Sequence, residues 1–243
     1  MGSTSYDSLW REPPDGSWRL DQRDFCGEIA QVREEGRHSD MTSQEMTQCR
    51  AVLGAIQWRV YQTGPQHSAK LGHLQSIISK GDRSTIAEVN KLVREVHAQR
   101  DVGLVIHQLC AERDEDLVLV AWSDAALANR PDLSSTGGYI IGFVHKDMVD
   151  QGVRGPVNVM SWSSSKLKRV CRSSLAAETQ ALAECEQELM FLRVQWAEML
   201  GYMTSSWMSL LKHQQKCLEF WSLTQKPSTM LPRMVRSKRA PFP

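Results

Sequence analysis

Four short segments between Trp122 and Glu178 decide how the second half of this chain folds. In chain order they are Trp122-Ser123-Asp124-Ala125, Asp132-Leu133-Ser134-Ser135-Thr136-Gly137-Gly138-Tyr139, Ser161-Trp162-Ser163-Ser164-Ser165-Lys166 and Ser173-Ser174-Leu175-Ala176-Ala177-Glu178. The first three accompany apolar runs that short connections join, which predicts three antiparallel strands. The fourth opens a long run with helical spacing. The sequence therefore predicts an α/β (α+β) fold, a three-strand meander followed by a long helix.

The first predicted strand ends in a candidate metal ligand. Six apolar residues follow Asp116, the pattern of a strand that is buried on both faces. We expect this strand at residues 116–122, closed by Asp124, and two further strands at residues 135–144 and 157–162. A carboxylate fixed by the sheet but facing water is a good ligand for a cation, and an ordinary turn aspartate is the alternative.

The predicted long helix has one irregularity, at Glu178. Its apolar stripe, with alternating spacings of three and four, consists of Leu175, Leu182, Cys185, Leu189, Leu192, Trp196 and Met199. The gap in the stripe falls at Glu178, and a charge there costs several kcal/mol unless it is paired or metal-bound. A capping box from Ser174 does not explain it, because Ala177 occupies the partner position. We expect Glu178 to point toward the sheet; a partly exposed glutamate that favours the helix dipole is the alternative.

The first half of the chain has the pattern of three helices. Thr42 and Glu45 have capping-box spacing and open the first helix, which the Gly64-Pro65 pair ends. Ser84 is the expected cap of the third. The remaining predicted elements are a hairpin at residues 15–20, the second helix at 66–80, the third helix at 85–100 and a strand at 104–109.

Together the four segments resemble the ribonuclease H domain that ends the reverse transcriptase of copia-type retrotransposons. The helical region is similar to the thumb and connection of the same enzymes, on the motifs Cys49 to Ala55, Thr63-Gly64-Pro65 and Lys91 to Glu95. The resemblance implies an incomplete ribonuclease H-like fold after a thumb/connection-like region. It divides the chain into a leader and linker (1–41), the helical region (42–112), the partial ribonuclease H-like domain (113–201) and a tail without regular structure (202–243).

The resemblance also implies a chemistry and a substrate. The family cleaves the RNA strand of an RNA–DNA hybrid with two Mg²⁺ ions about 4 Å apart. Asp124 and Glu178 match the first two carboxylates that hold these ions. In the family, the region between the third strand and the helix approaches the nucleic-acid backbone. The basic residues of this chain in that region would then contact phosphates. The alternative is that they lie in a solvated loop without a function. These basic residues are Lys166, Lys168, Arg169 and Arg172.

The sequence departs from the family in two respects. It contains no Asp-Asp pair, so a polymerase reaction lacks its metal ligands. Residues 202–243 contain no Asp and a single Glu, Glu219, so no fourth strand with the family's third carboxylate is predicted. A permitted back-translation of residues 219–234, read one nucleotide over, gives Val-Leu-Val-Thr-Asp-Ala-Lys-Ala-Phe-Tyr-Asp-Ala-Ala, which resembles that strand. A reading-frame shift is one interpretation of the tail, and disorder is the other.

Three functions are consistent with these patterns. They are a degenerate fragment that has lost hybrid cleavage, a non-catalytic nucleic-acid-binding or scaffold remnant, and a nuclease completed in trans. A formal net charge of +1 gives no basic bias of its own. No apolar run approaches the ~18 residues of a membrane span and no signal peptide is evident, so we expect an intracellular chain without a membrane or small-molecule partner. Lacking a fourth strand, the sheet would expose the edge of its first strand and favour association.

Overall fold

The computed structural model describes residues 10–11, 16–34, 40–109, 116–201, 218–222 and 234–235. Only the backbone is described for residues 10–11, 218–222 and 234–235. The chain divides into two compact units, Met1–Ile106 and His107–Pro243. Within the described ranges, no helix is both long and apolar enough to cross a bilayer.

A small antiparallel sheet belongs to the first unit. Its strands, in spatial order, are β1 (Trp10–Arg11), β2 (Trp18–Leu20) and β3 (Leu104–Ile106). β1 and β2 pair, so the first strand of this pair begins at Trp10, outside the predicted hairpin at residues 15–20; Gly16 precedes β2 with a left-handed φ of +73°. β3 is shorter than the predicted strand. A short helix, α1 (Arg23–Glu28), follows β2 and was not predicted.

The first unit also contains three longer helices. They are α2 (Ser43–Gln62), α3 (Ser68–Ile77) and α4 (Arg83–Ala98). α2 begins with the predicted capping box: the Thr42 hydroxyl accepts a hydrogen bond from the Glu45 amide at 3.1 Å. In return, the Glu45 carboxylate accepts one from the Thr42 amide at 2.8 Å. The first predicted helix is therefore confirmed.

The other two helices differ from the prediction at their ends. Asp82, rather than Ser84, caps α4, because its carboxylate accepts a hydrogen bond from the Thr85 amide at 3.2 Å. Short 3₁₀ turns at Pro65–His67 and Ile78–Lys80 flank α3, so the predicted second helix is divided into three pieces.

One charged side chain lies in the core of the first unit. Arg59 of α2 is fully buried, and its guanidinium donates to the Thr63 hydroxyl and the Val102 carbonyl. It thus ties the end of α2 to the chain that follows α4. The apolar faces of the three helices meet around Leu53, Ile56, Leu71, Leu74, Ile86 and Val89.

A five-stranded sheet organises the second unit. Its strands are β4 (Leu117–Ala126), β5 (Thr136–His145), β6 (Asn158–Lys166), β7 (Leu218–Ser222) and β8 (Met234–Val235), with the spatial order β6-β5-β4-β7-β8. β4, β5 and β6 pair antiparallel, which confirms the predicted meander. The predicted long helix follows as α6 (Ser174–Met199), and a short helix, α5 (Lys146–Asp150), lies in the connection predicted as a loop.

β7 overturns the expectation that no regular structure follows α6. It pairs in parallel with β4, with Leu218 opposite Leu119 and Ser222 opposite Ser123. The edge of β4 that we expected to be exposed is therefore covered. β6 and β7 run in the same direction, and α6 makes the crossover that two such strands require.

Each face of this sheet has its own apolar core, as the alternation of side chains along a strand requires. The face against α6 contains Leu119, Ala121, Ile141, Phe143, Cys185 and Leu189. The opposite face contains Val118, Val120, Val144 and Val149.

The buried stripe of α6 differs from the prediction at both ends. Leu175 and Met199 are 75% and 78% exposed, although both belong to the predicted stripe. A helix of 26 residues is about 39 Å long. A strand of 10 residues spans about 33 Å, so both ends of the helix extend past the sheet. The residues that α6 buries are Ala177, Ala181, Cys185, Leu189 and Arg193.

A matched pair of truncations tests this stripe. We expect Leu189→Ala to lower the unfolding free energy of the second unit by about 2–5 kcal/mol, because it opens a cavity in a packed core. Leu175→Ala should change it by less than about 0.5 kcal/mol, because Leu175 is exposed. Urea denaturation, followed through hydrogen exchange of β4 and β5, measures both. If both variants lose the same free energy of unfolding, Leu175 belongs to the buried stripe as the sequence predicted.

Candidate active site

Asp124 lies within β4 rather than at its end. It pairs with Gly138 of β5, and the β4–β5 ladder continues for two further residues to Ala126. The prediction that Asp124 closes the strand was therefore wrong. The ladder continues because the Gly137-Gly138 pair remains extended and pairs through this region. Asp124 is nevertheless exposed, so a carboxylate held by the sheet does face water.

Glu178 lies beside this part of β4, as its place in the helix predicts. Its carboxylate is half-buried and accepts a hydrogen bond from the Ala125 amide. Burial raises the pKa of Glu178, and the negative charge of Asp124 raises it further, while the Ala125 hydrogen bond lowers it. The structure thus places the two predicted carboxylates near each other, with Glu178 hydrogen-bonded to the backbone of the residue after Asp124.

Small residues allow α6 to approach the sheet at this point. A Cβ atom at Gly137 would lie 2.6 Å from Leu167 Cδ2 and 3.1 Å from the Ala181 Cβ. The N-cap of α6 is Ser173, whose hydroxyl accepts a hydrogen bond from the Ala176 amide at 3.2 Å. Ser173, and not Ser174, is therefore the cap. Glu178 follows one turn later.

No third carboxylate joins the pair from β7. Ser222, the last residue of that strand, is the register partner of Ser123. The acid of the strand, Glu219, pairs with Val120, four residues before Asp124. Four residues of strand correspond to about 13 Å, which places Glu219 far from the level of the pair. Among the side chains that the structure describes, no three His, Cys, Asp or Glu form a group able to hold a metal ion.

The predicted basic residues lie on the surface, and two of them are engaged with carboxylates. The Lys166 ammonium lies 2.5 Å from Asp132 Oδ2, and this hydrogen bond is the main reason that the pKa of Asp132 is lowered. The Lys168 ammonium lies 3.9 Å from Glu184 Oε1 at a highly exposed position.

The other two basic residues belong to the loop before α6. Arg169 is held through its backbone, since its amide donates to Gln180 Oε1 at 3.3 Å and its carbonyl accepts from Gln180 Nε2 at 3.4 Å. The side chains of Arg169 and Arg172 are exposed. The four basic residues therefore share a surface, but part of their charge is already balanced.

A second surface, which the sequence analysis did not single out, lies on α2. We call it the α2 surface, and it consists of Arg50, Gly54, Trp58 and Tyr61. Trp58 and Tyr61 are 56% and 63% exposed, and a Cβ atom at Gly54 would meet nothing within 4 Å. Spacings of four, four and three place these residues on one helix face. The sequence contains this spacing, but the apolar residues that predict the helix lie on its other face.

The α2 surface contains no carboxylate. Glu45, the only acidic residue of α2, is fully buried at the start of the helix. The exposed face therefore combines one positive charge, two aromatic rings and small residues. Such a face lacks the negative charge that would repel a polyanion.

Comparison with known proteins adds an independent observation. No protein-family model matches the chain. It is 26% identical over 147 residues to the retrovirus-related Pol polyprotein from transposon RE1 of Arabidopsis thaliana, a match that covers 60% of this chain and 9% of that protein. It is 27% identical over 156 residues to the corresponding polyprotein from transposon RE2 of the same plant, covering 64% and 10%.

The chain is thus similar to retrovirus-related Pol polyproteins from transposons. The resemblance inferred from the sequence motifs is thereby confirmed. The matches span only 9% and 10% of the length of these two relatives. Among solved structures, the chain is similar to the foamy viral protease-reverse transcriptase in complex with an RNA/DNA hybrid, with a TM-score of 0.42 and 12% identity, covering 96% of this chain and 32% of that chain.

The raised pKa of Glu178 predicts a dependence of stability on pH. Because the folded chain holds this proton more tightly than the unfolded chain, the ionisation of Glu178 removes stability as the pH rises from the ordinary pKa through the raised one. We expect Glu178→Gln to raise the melting temperature at pH 7. The gain should shrink near pH 4, about the ordinary pKa of glutamate, where Glu178 is largely protonated.

Thermal melts of both proteins at the two pH values measure this effect. Glu198→Gln, an exposed change on the same helix, is the control and should show no such pattern. A lower melting temperature for Glu178→Gln at pH 7 would show that burial and the Asp124 charge do not outweigh the favourable contacts of the ionised carboxylate.

Proposed function

We propose that the chain is a degenerate fragment of a copia-type reverse transcriptase and ribonuclease H that no longer cleaves RNA–DNA hybrids. One observation carries the proposal. β7 occupies the position beside β4, and it brings no carboxylate to the level of Asp124. β7 is therefore present, but it lacks the carboxylate that the family uses as its third metal ligand.

The coordination chemistry of Mg²⁺ explains why this difference matters. Asp124 and Glu178 together would hold one Mg²⁺ ion, whose charge would offset the burial and the Asp124 charge that raise the pKa of Glu178. Such an ion supplies charge neutralisation and activates water. Two-metal cleavage also needs a second ion to stabilise the leaving oxygen, and that ion requires anchoring ligands of its own. The described side chains provide no such ligands.

The register of β7 supports the reading-frame interpretation of the tail. A shift of one nucleotide starts Val-Leu-Val-Thr-Asp at position 220, so the aspartate stands two positions after 222. Position 222 is the register partner of Ser123, the residue before Asp124. Because parallel strands advance together, the shifted sequence would bring its carboxylate to within one residue of the level of Asp124. A nuclease completed in trans is less well supported, because β7 already occupies the edge that a second chain would need.

The proposal predicts an inactive chain that a defined replacement improves. The purified chain should not cleave an RNA–DNA hybrid with Mg²⁺ or Mn²⁺, and Asp124→Asn should change nothing. Replacing residues 220–232 by the shifted sequence should tighten Mg²⁺ binding at least about tenfold, because it adds a third carboxylate. Isothermal titration calorimetry measures the binding, and a labelled hybrid measures cleavage.

The matched control is the same replacement with asparagine in place of its first aspartate. It keeps the strand and its packing but removes the ligand, so its Mg²⁺ affinity should equal that of the original chain. Cleavage by the original chain that disappears in Asp124→Asn would contradict the proposal directly.

The α2 surface favours a second candidate function, nucleic-acid binding without cleavage. Aromatic rings and an arginine on an acid-free helix face suit contact with the sugars, bases and phosphates of a nucleic acid. This surface supports such binding better than the loop before α6, where Asp132 and Glu184 lie beside two of the basic side chains.

A pair of exposed aromatic residues tests this second candidate. We expect Trp58→Ala to weaken binding of a fluorescent RNA–DNA hybrid about tenfold, because a stacking or packing surface is lost. Phe191→Ala, which removes a ring with a similar exposure of 55% from α6, should leave binding unchanged. Arg50→Ala should reduce the slope of log binding constant against log salt concentration by about one, because one phosphate contact is lost. Fluorescence anisotropy measures all three, and equal weakening by the two aromatic variants would reject the α2 surface.

A further inference from the structure

β6 forms one edge of the five-stranded sheet. β5 pairs with one side of it, and no described strand pairs with the other. An edge strand presents a row of backbone donors and acceptors, and the partner that satisfies them is another β-strand. The pairing strand must be compatible with the sequence of β6.

The composition of β6 contains few of the features that protect an edge. It has no proline, and its one charged residue, Lys166, stands at the very end with its ammonium held by Asp132. Its one irregularity is at Met160, which the register shift leaves without a partner on β5. After it, the run Ser161–Ser165 is regular, with successive partners on β5.

This regular run is compatible with pairing to itself. A two-fold axis perpendicular to the sheet pairs a strand antiparallel with its copy and places one residue opposite its own equivalent. With the axis at Ser163, Ser161 lies opposite Ser165 of the second copy and Trp162 lies opposite Ser164. No charged residue meets another, and the small serine side chains permit close approach.

Apolar side chains next to this edge lack cover. Met160 is 49% exposed and Ile140, the β5 partner of Trp162, is 44% exposed. A second sheet continuing from β6 would place a strand beside Met160 and remove part of that side chain from water, which adds an apolar contribution to the backbone hydrogen bonds. We propose that β6 is a self-association edge, through which two copies of this chain form one continuous sheet centred on Ser163.

Ser163→Lys is the direct test of this dimer. It places two ammonium groups opposite each other at the axis, so the dissociation constant should rise at least about tenfold relative to the unaltered chain. Val170→Lys, which adds the same charge at a loop position that is 92% exposed, should leave the dimer intact. Sedimentation equilibrium over a concentration series measures the three proteins, with circular dichroism as the check of folding.

Ser163→Cys keeps the proposal testable if the lysine variant fails to fold. The two thiols would meet at the axis, so mild oxidation should give a disulfide-linked dimer faster than in the unaltered chain or in Val170→Cys. A chain that stays monomeric at every concentration would overturn the proposal. So would a dimer that Ser163→Lys does not weaken, or a Ser163→Cys variant that cross-links no faster than its controls.

Discussion

The candidate site depends on how closely α6 approaches β5. Gly137 and Ala181 face each other where the helix crosses the strand, and neither leaves room for a longer side chain. Because the helix lies this close, Glu178, one turn before Ala181, reaches the Ala125 amide of the next strand. A larger residue at either small position would lift the helix from the sheet and separate the two carboxylates. The site is therefore a consequence of packing between small residues as much as of the acids themselves.

The sequence predicted those parts of the fold that depend on residues close together in the chain. The capping box of Thr42 and Glu45, the three strands of the meander and the inward position of Glu178 each follow from residues close together in the chain. The cap at Asp82 was missed because Ser84 has the same chemistry two positions later. β7 was missed for a different reason. Five residues with one acid and no clear alternation acquire a strand conformation only from their pairing with β4, and no local pattern records that partner.

The second unit holds two carboxylates, Asp124 and Glu178, close enough for their charges to interact. The Glu178 carboxylate accepts a hydrogen bond from the Ala125 amide, while burial and the negative charge of Asp124 raise its pKa. Nearby, Lys166 and Lys168 are drawn toward Asp132 and Glu184. The α2 surface has no such interactions, because no carboxylate is among its exposed groups. The two surfaces therefore differ in their electrostatics: carboxylates are concentrated in the second unit, and the exposed face of α2 has none.

The parallel pairing of β7 with β4 has a consequence for the order of folding. β7 leaves the ribosome long after β4, and the meander and α6 lie between them in the chain. Contacts between such distant segments form slowly, since a long loop must close before any interaction compensates for the lost entropy. During synthesis, β4 therefore has a period with one open edge while its other side is already paired. Any strand that reaches this edge first, from the same chain or from a neighbour on the same messenger RNA, competes with β7 for it.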